Sequence, residues 1–354
     1  MKLFMLQLAR LYTRGQKIWQ AKVNSSGQIY VHDRVSEYRN MWKNAAEKVG
    51  ARFTALADSV WELELNGKTT RILNDKLEFD DPVALEIAGM KPLVYQLFAE
   101  QGLRVPEHRV FQLKDWSRAA EFLKRHPKGC VVKPANGTSS GQGVTTHVQT
   151  EREVRAASIL ASLYCSDILI EPMIPGECYR LLVLDGEMIH AVRRKGPGLT
   201  GDGVSTVGNL LSIENERRSM RGEYLLDIDR DCLFTLGYQG LSLESTPACG
   251  QTVLAKSVND PRRKQVEVRT VYNETVTGFV CDALKKNAES AAKILKSRLV
   301  GVDFITPDPT VPLEKSGGVI NEVNTTPGLH HHYDSTVERF PEPALRVLQS
   351  LFNR

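Results

Sequence analysis

The stretch VVKPANGTSSGQGV, residues 131–144, constrains the fold of this chain more than any other. Val131–Val132 reads as the end of one strand and Val144–Thr145–Thr146 as the start of the next, with Lys133 and a glycine- and serine-rich loop between them. Glycine lets backbone N–H groups approach an anion closely, and serine hydroxyls add donors. By itself the stretch fits two readings. One is a phosphate cradle on a hairpin; the other is a mobile hairpin tip, since glycine-rich loops are common turn chemistry. A second candidate, the GKT at 67–69, is no P-loop, because position 62, where the Walker pattern needs glycine, is Glu62.

The chain has 354 residues, 42% of them hydrophobic, and a formal net charge of +4. That is room for two or three modules of about 100–200 residues each. The charge excess is too small to point to nucleic acid, with short basic clusters only at Arg193–Lys195 and Arg262–Lys264. Six cysteines form no C-x-x-C pair, which argues against zinc and dithiol redox sites and for reduced thiols in the cytoplasm. The apolar start is interrupted at Arg10, too soon for a secretory signal, and no run of about 18 apolar residues suggests a membrane span.

Along the chain, Glu37–Val49 has helical character and stops at Gly50. Residues 61–73 read as a hairpin through a type I′ turn at Asn66–Gly67. KPLVYQLFAEQG predicts a helix ending at Gly102, with further helices over Asp115–Arg125, Glu151–Tyr164, Ser205–Arg217 and, longest, Glu274–Leu299. Residues 167–194 alternate short β runs with turns at Pro175–Gly176 and Asp185–Gly186, and GVDFI (301–305) and GVINEVN (318–324) predict two closing strands. Helices and hairpins mixed in this way predict α+β layers rather than a strict βαβ array.

Two further stretches carry chemistry. On a strand, Glu322 and Asn324 project from one face, and Asp303 lies on a strand expected beside it. Few, hard oxygen ligands suit Mg²⁺; the alternative is that the acids face solvent on a half-exposed sheet. Without a cation, such a set is expected to repel itself and be strained. In ILIEPMIPGE (168–177), Pro172 is expected to interrupt ladder pairing after Glu171 and leave backbone groups for a purine edge, or else to mark an ordinary edge strand. His330, His331 and His332 either face an acidic substrate or begin a solvated helix.

Together the segments KPLVYQLFAEQGLRVP, VVKPANGTSSGQGV, IEPMIPGECYRLLV, RRKGPGLTGDGVST, LSLESTPACG, VGVDFI and INEVNTTPGLHHH, from about Met90 to His332, resemble the ATP-grasp ligases in order and spacing. The resemblance is nearest to the ATP-grasp module of cyanophycin synthetases, with glutathione synthetases and D-alanine ligases further off. It implies an ATP-grasp fold, two α+β subdomains clasping ATP, over 86–354. A lid-bearing part at about 106–170 and a metal-bearing part at about 171–354 follow a short α/β domain at 1–85. It implies that Lys91 and Lys133 hold ATP phosphates and that the loop of Gly137, Ser139, Ser140, Gly141 and Gly143 closes over them. Glu171, Pro172 and Ile174 would line the adenine cleft, Arg180 and Arg194 would face the reacting phosphoryl and carboxylate, and Asp303, Glu322 and Asn324 would bind Mg²⁺, two ions with Mn²⁺ as a substitute.

Two departures stand out. Cys178 occupies the position where the family has a ribose-binding acid, and these 354 residues contain no P-loop motif of the kind that the Mur-ligase-like half of cyanophycin synthetases carries. The activity implied is ATP-dependent carbon–nitrogen ligation of a small carboxylate and an amine, amino acids or small peptides, through an acyl phosphate. The alternatives are a kinase acting on a small acceptor and a non-catalytic nucleotide-binding partner protein. A dimer or tetramer is a further implication of the resemblance; neither nucleic acid nor membrane is an expected partner.

Overall fold

Short apolar runs punctuated by Asp185–Gly186 fold residues 177–194 into a hairpin, whose turn residues take φ of 51° and 85°. The computed structural model describes residues 2–23, 27–79, 81–137, 141–194, 196–220, 225–228, 230–256, 273–333 and 342–353. Its contacts form two units of interleaved segments, one of residues 1–25, 107–173 and 195–272, the other of 26–106, 174–194 and 273–354. Chain order and compact unit are therefore different things here; the segments 1–85 and 86–354 each contribute to both.

The second unit is built on an antiparallel five-stranded sheet, in the order Asn273–Thr275, Glu187–Arg194, Glu177–Leu184, Leu299–Thr306, Val319–Asn324. Alternation decides its two faces. Tyr179, Leu181, Val183, Val300, Val302 and Phe304 point one way and are buried against the helix Asp282–Leu295. That helix presents Leu284, Ala288, Ala291 and Leu295 at helical spacing, so one stripe packs and the other faces solvent. On the opposite face, Leu182, Leu184 and Leu299 are buried with Trp42, Trp61 and Leu348, a core to which the helices Gly27–Val49 and Glu342–Phe352 contribute. Further along this face lie Arg180, Arg194, Asp303, Glu322 and Asn324, with Val192 among them.

A four-stranded meander, residues 52–77, contains the expected hairpin, with Asn66 and Gly67 both at positive φ. The helix expected over Glu37–Val49 begins earlier, at Gly27, and ends as expected before Gly50. The long helix expected over Glu274–Leu299 is shorter: Asn273–Thr275 is an edge strand, and the helix spans Asp282–Leu295. Thr275, Val276 and Thr277 are β-branched and Gly278 follows, which disfavours a helical start there. At the other end Lys296 turns left-handed, with φ of 54°, and closes the helix.

The first unit holds a four-stranded antiparallel sheet, in the order Arg109–Gln112, Asp167–Pro172, Cys130–Pro134, Thr145–Val148. The helices Trp116–Lys124 and Glu151–Ala161 belong to its core, built around Phe111, Phe122, Val132, Ile168 and Ile170. Thr150 and Glu153 form a reciprocal capping box at the start of the second helix. A smaller cluster, Leu199, Val207, Leu211, Cys232 and Val253, joins the two-stranded ribbon Gly198–Thr200 and Thr252–Leu254 to the helices Val207–Met220 and Arg230–Tyr238.

Candidate active site

In the first unit the stretch that opened the sequence does form a hairpin, with Cys130–Pro134 paired to Thr145–Val148. Gly137, Gly141 and Gly143 take φ of 67°, 71° and 72°, the left-handed region where a side chain is strained. At Gly143 a Cβ would also press on Tyr164 and Pro134. Ser139, Ser140 and the basic cluster Arg262–Lys264 lie outside the described residues. Lys133 and Glu171 are both buried, 4% and 3% exposed, and Nζ donates to Oε1 at 2.6 Å. The lysine expected at phosphate and the glutamate expected beside adenine are thus an ion pair on neighbouring strands.

Pro172 does not interrupt the ladder as expected. It stands opposite Cys130, and the Met173 N–H donates to the Gly129 carbonyl at 2.9 Å. Proline lacks its own N–H but tolerates a strand end where its partner strand asks for none, so pairing continues past it. Burial is the first reason that the Cys130 thiol is pushed up to about 12, with Glu171 adding to it. That makes it a buried filler without nucleophilic character.

In the second unit the polar end of the sheet face gathers most of the other sequence-predicted residues. Register sets Arg180 across from Asp303, and Asp303 across from Glu322; Asn324 lies opposite Gly301. Arg180 grips Asp303 with two parallel bonds, Nε to Oδ1 at 2.6 Å and Nη2 to Oδ2 at 2.7 Å. Arg194 adds Nη1 to Oδ2 at 3.4 Å. Burial opposes the Arg180 charge, but Asp303 outweighs it, and the guanidinium is held charged more firmly than usual. Lys91, in the first turn of the helix Lys91–Glu100, lies 3.6 Å from Glu322. Cys178 is half-buried and directly across from Arg194. Ile174 belongs to this unit, unlike Glu171 and Pro172.

These contacts correct the expectation of a self-repelling acid set, because each carboxylate already has a cationic partner. Among the described residues no three His, Cys, Asp or Glu side chains cluster as metal ligands. The candidate magnesium set is two carboxylates and an amide. It fits a hard cation in one telling respect: the Asn324 Nδ2 is buried without a hydrogen-bond partner. Turning the amide over puts an oxygen there with no donor facing it, which suits a cation.

Over this polar face lies the 3₁₀ turn Leu329–His332. His331 and His332 are 5% and 4% exposed, so the solvated-helix alternative is excluded. A Cβ at Gly328 would overlap the His330 ring, so any other residue there would displace that ring. Tyr38 Oη and His330 Nδ1 are 2.5 Å apart, and Asn273 Nδ2 donates to the His331 carbonyl at 2.7 Å. His190 Nδ1 and His332 Nδ1 are 3.0 Å apart. Burial first, then nearby His330, Arg194 and Arg180, push His331 well below the usual histidine range. Burial followed by His190, Arg180 and Arg194 does the same to His332, and burial pushes His190 down to about 4. Sequence reasoning missed His190, Tyr38 and Asn273. Strand parity would have found the first, since His190 and Arg194 are four residues apart on one strand and share its face.

The chain is 28% identical over 285 residues to a cyanophycin synthetase from Crocosphaera subtropica, covering 76% of this chain and 31% of that one. It is 28% identical over 266 residues to the glutathione biosynthesis bifunctional protein GshAB of Listeria welshimeri, covering 73% and 33%. Among solved structures, a bifunctional glutathione synthetase from Pasteurella multocida superposes with a TM-score of 0.57 at 20% identity, over 90% of this chain and 44% of that one. The chain has the ATP-grasp fold. This ATP-grasp chain is homologous to a cyanophycin synthetase and to a glutathione biosynthesis protein, and it spans about a third of the length of the curated relatives it matches. No family model matches it. Among the described residues, no helix is long and apolar enough to cross a membrane.

Proposed function

We propose that this ATP-grasp protein is an ATP- and Mg²⁺-dependent carboxylate–amine ligase that forms an amide or peptide bond between amino acids or small peptides through an acyl phosphate. The observation that carries the reading is the buried Arg180–Asp303–Arg194 cluster on one sheet face, in a chain homologous to cyanophycin synthetase and to a glutathione biosynthesis protein. A carboxylate is a poor electrophile. Phosphorylation makes it one, and phosphoryl transfer asks a protein for alignment and charge neutralisation more than for covalent help.

In this reading Lys133 turns from Glu171 to the nucleotide phosphates. The hairpin loop at 137–143 supplies backbone donors, and the three positive-φ glycines are what let it shape itself to an anion. Arg180 and Arg194 hold the substrate carboxylate and, later, the tetrahedral oxyanion. Losing one such contact typically costs about 10²–10³ in rate. Asp303, Glu322 and the Asn324 oxygen are the groups that would hold Mg²⁺, which supplies charge neutralisation at the phosphates when bound. Acyl phosphates hydrolyse, so the loop at 137–143 excludes water when it closes. Supply of ATP and Mg²⁺ with a matrix of amino acids and dipeptides tests the reading. Phosphate release together with a product mass equal to both substrates minus water supports it, and hydroxylamine in place of the amine should trap a hydroxamate. A stable phosphorylated alcohol instead would make the protein a kinase.

A further inference from the structure

Amide formation has a proton problem that the residues above do not solve. An amine that attacks an acyl carbon becomes a positively charged nitrogen in the tetrahedral adduct. That nitrogen must lose a proton before phosphate leaves, or the amine is simply expelled. The polar face is poor in bases that could take it. Asp303 is gripped by Arg180 and Arg194, and Glu322 lies beside Lys91. Guanidinium groups hold their protons.

The histidines differ. His332 is 4% exposed and its Nε2 is buried without a hydrogen-bond partner, while its Nδ1 meets His190 Nδ1 at 3.0 Å. The two rings stand edge to face, with planes at 77°. His190 is only half-buried and so keeps access to solvent. An Nδ1-to-Nδ1 hydrogen bond requires one protonated and one bare nitrogen, and its proton can sit on either. We propose that His332 and His190 form a proton exit, in which His332 Nε2 takes the proton from the tetrahedral adduct and His190 passes one to solvent. This rests on the ligase reading.

The step balances. The N–H bond of the adduct breaks and its proton bonds to His332 Nε2. The His332 Nδ1 proton moves to His190 Nδ1, and the His190 Nε2 proton leaves to water. The adduct's electron pair re-forms the carbonyl as the C–O bond to phosphate breaks, and both rings end neutral with their tautomers exchanged. The pair returns to its starting tautomers after product release, when His332 Nε2 gives its proton to water entering the emptied site, its Nδ1 regains the shared proton and His190 Nε2 takes one from solvent. The groups around His332 favour transit over storage of a proton. On its own turn are His330, tied to Tyr38, and His331. From the neighbouring strands come His190, Arg194 and Arg180, and among the described residues no carboxylate is among the charges that act on His332. Of the other charged groups on packed elements, Glu274 is turned to Arg193, and Glu187 to Arg346. A ring so surrounded is a weak base that rests neutral and does not hold a proton, which suits a relay that passes the proton on.

Two measurements test this. In the full chain with ¹⁵N-histidine at pH 7, nitrogen shifts should show His190 and His332 both neutral with opposite Nδ1 protonation. An imidazolium at either, or two bare Nδ1 atoms, would overturn the relay whatever the enzyme does. Second, amide and hydroxamate formation are compared on the acid–amine pair that wild type turns over; excess hydroxylamine carries its own base. In His190→Ala and His332→Gln the amide-to-hydroxamate ratio should fall about 10²-fold, with imidazole added to His190→Ala restoring part of it. Equal loss of both products, or an unchanged ratio, would make the pair structural. Absence of any ATP-dependent product in wild type would overturn the ligase reading itself, and the relay's role with it.

Discussion

The two units each bury charge, and they do so differently. The first pairs single cations with single carboxylates, Lys133 with Glu171 at 2.6 Å and Arg218 with Glu214 at 3.1 Å. In the second, two guanidiniums share the single carboxylate of Asp303, beside three histidines whose proton affinity is lowered. A balanced pair is content without a ligand and must be broken for its lysine to hold phosphate. A cluster with one positive charge in excess gains from an incoming anion. The same buried polarity therefore resists ligand in one unit and invites it in the other.

Asp303→Asn should break the second arrangement most severely. It leaves Arg180 and Arg194 buried without their shared carboxylate, and chemical denaturation should show a loss of about 3–5 kcal/mol. A loss below about 1 kcal/mol would mean that water already solvates the cluster.

The first unit should respond next. Lys133→Met alone removes the Nζ bond to the buried Glu171 and should cost about 3 kcal/mol, whereas Lys133→Met with Glu171→Leu should recover most of that, as replaced buried pairs often do. Arg180→Met with Asp303→Leu should recover less, because the buried Arg194 also loses its contact to Asp303. Equal recovery in both double variants would erase the contrast drawn between the units.

Acid sharpens the same contrast. His190, His331 and His332 have lowered proton affinity when folded and regain it on unfolding, so below about pH 6.5 the unfolded state binds more protons. Stability is therefore full above that pH and falls as pH drops toward 4, by up to about 1.4 kcal/mol per pH unit for each such group. His147, lowered by burial, is the corresponding group in the first unit. Denaturation of wild type and of His190→Phe between pH 7 and 4.5 should show a shallower slope in the variant; identical slopes would remove His190 from the account.

Glu322→Gln should have the smallest effect on stability, under about 1 kcal/mol, since its side chain is 32% exposed and its lysine 3.6 Å away. Loss of the contact to Lys91 predicts a slight fall, whereas a self-repelling acid set would leave stability unchanged or slightly raised. The Mg²⁺ concentration for half-maximal phosphate release should increase; unchanged Mg²⁺ dependence would take Glu322 out of the metal set.

Much of this was legible in the sequence because it is local. Asn66–Gly67 can make few turns other than the one it makes, and the parity of Glu322 and Asn324 follows from strand geometry. The glycines of the hairpin loop announced left-handed backbone, and the order of motifs announced the fold. The errors came where a pattern had two local solutions. Charged helix-forming residues after Glu274 masked a β-branched start, and Pro172 looked like an interruption because the partner strand's needs are invisible along one chain.

Tertiary structure alone decided who partners whom. Nothing within ten residues of Lys133 indicates Glu171, and nothing near Asp303 indicates two arginines on other strands. Nor does HHH say which of its rings is buried, or that His332 meets a histidine 142 residues earlier. Hydrogen-bond and hydrophobic periodicity act between near neighbours and are written in the sequence. Electrostatic pairing and burial act through space, and they are settled only when distant strands come into register.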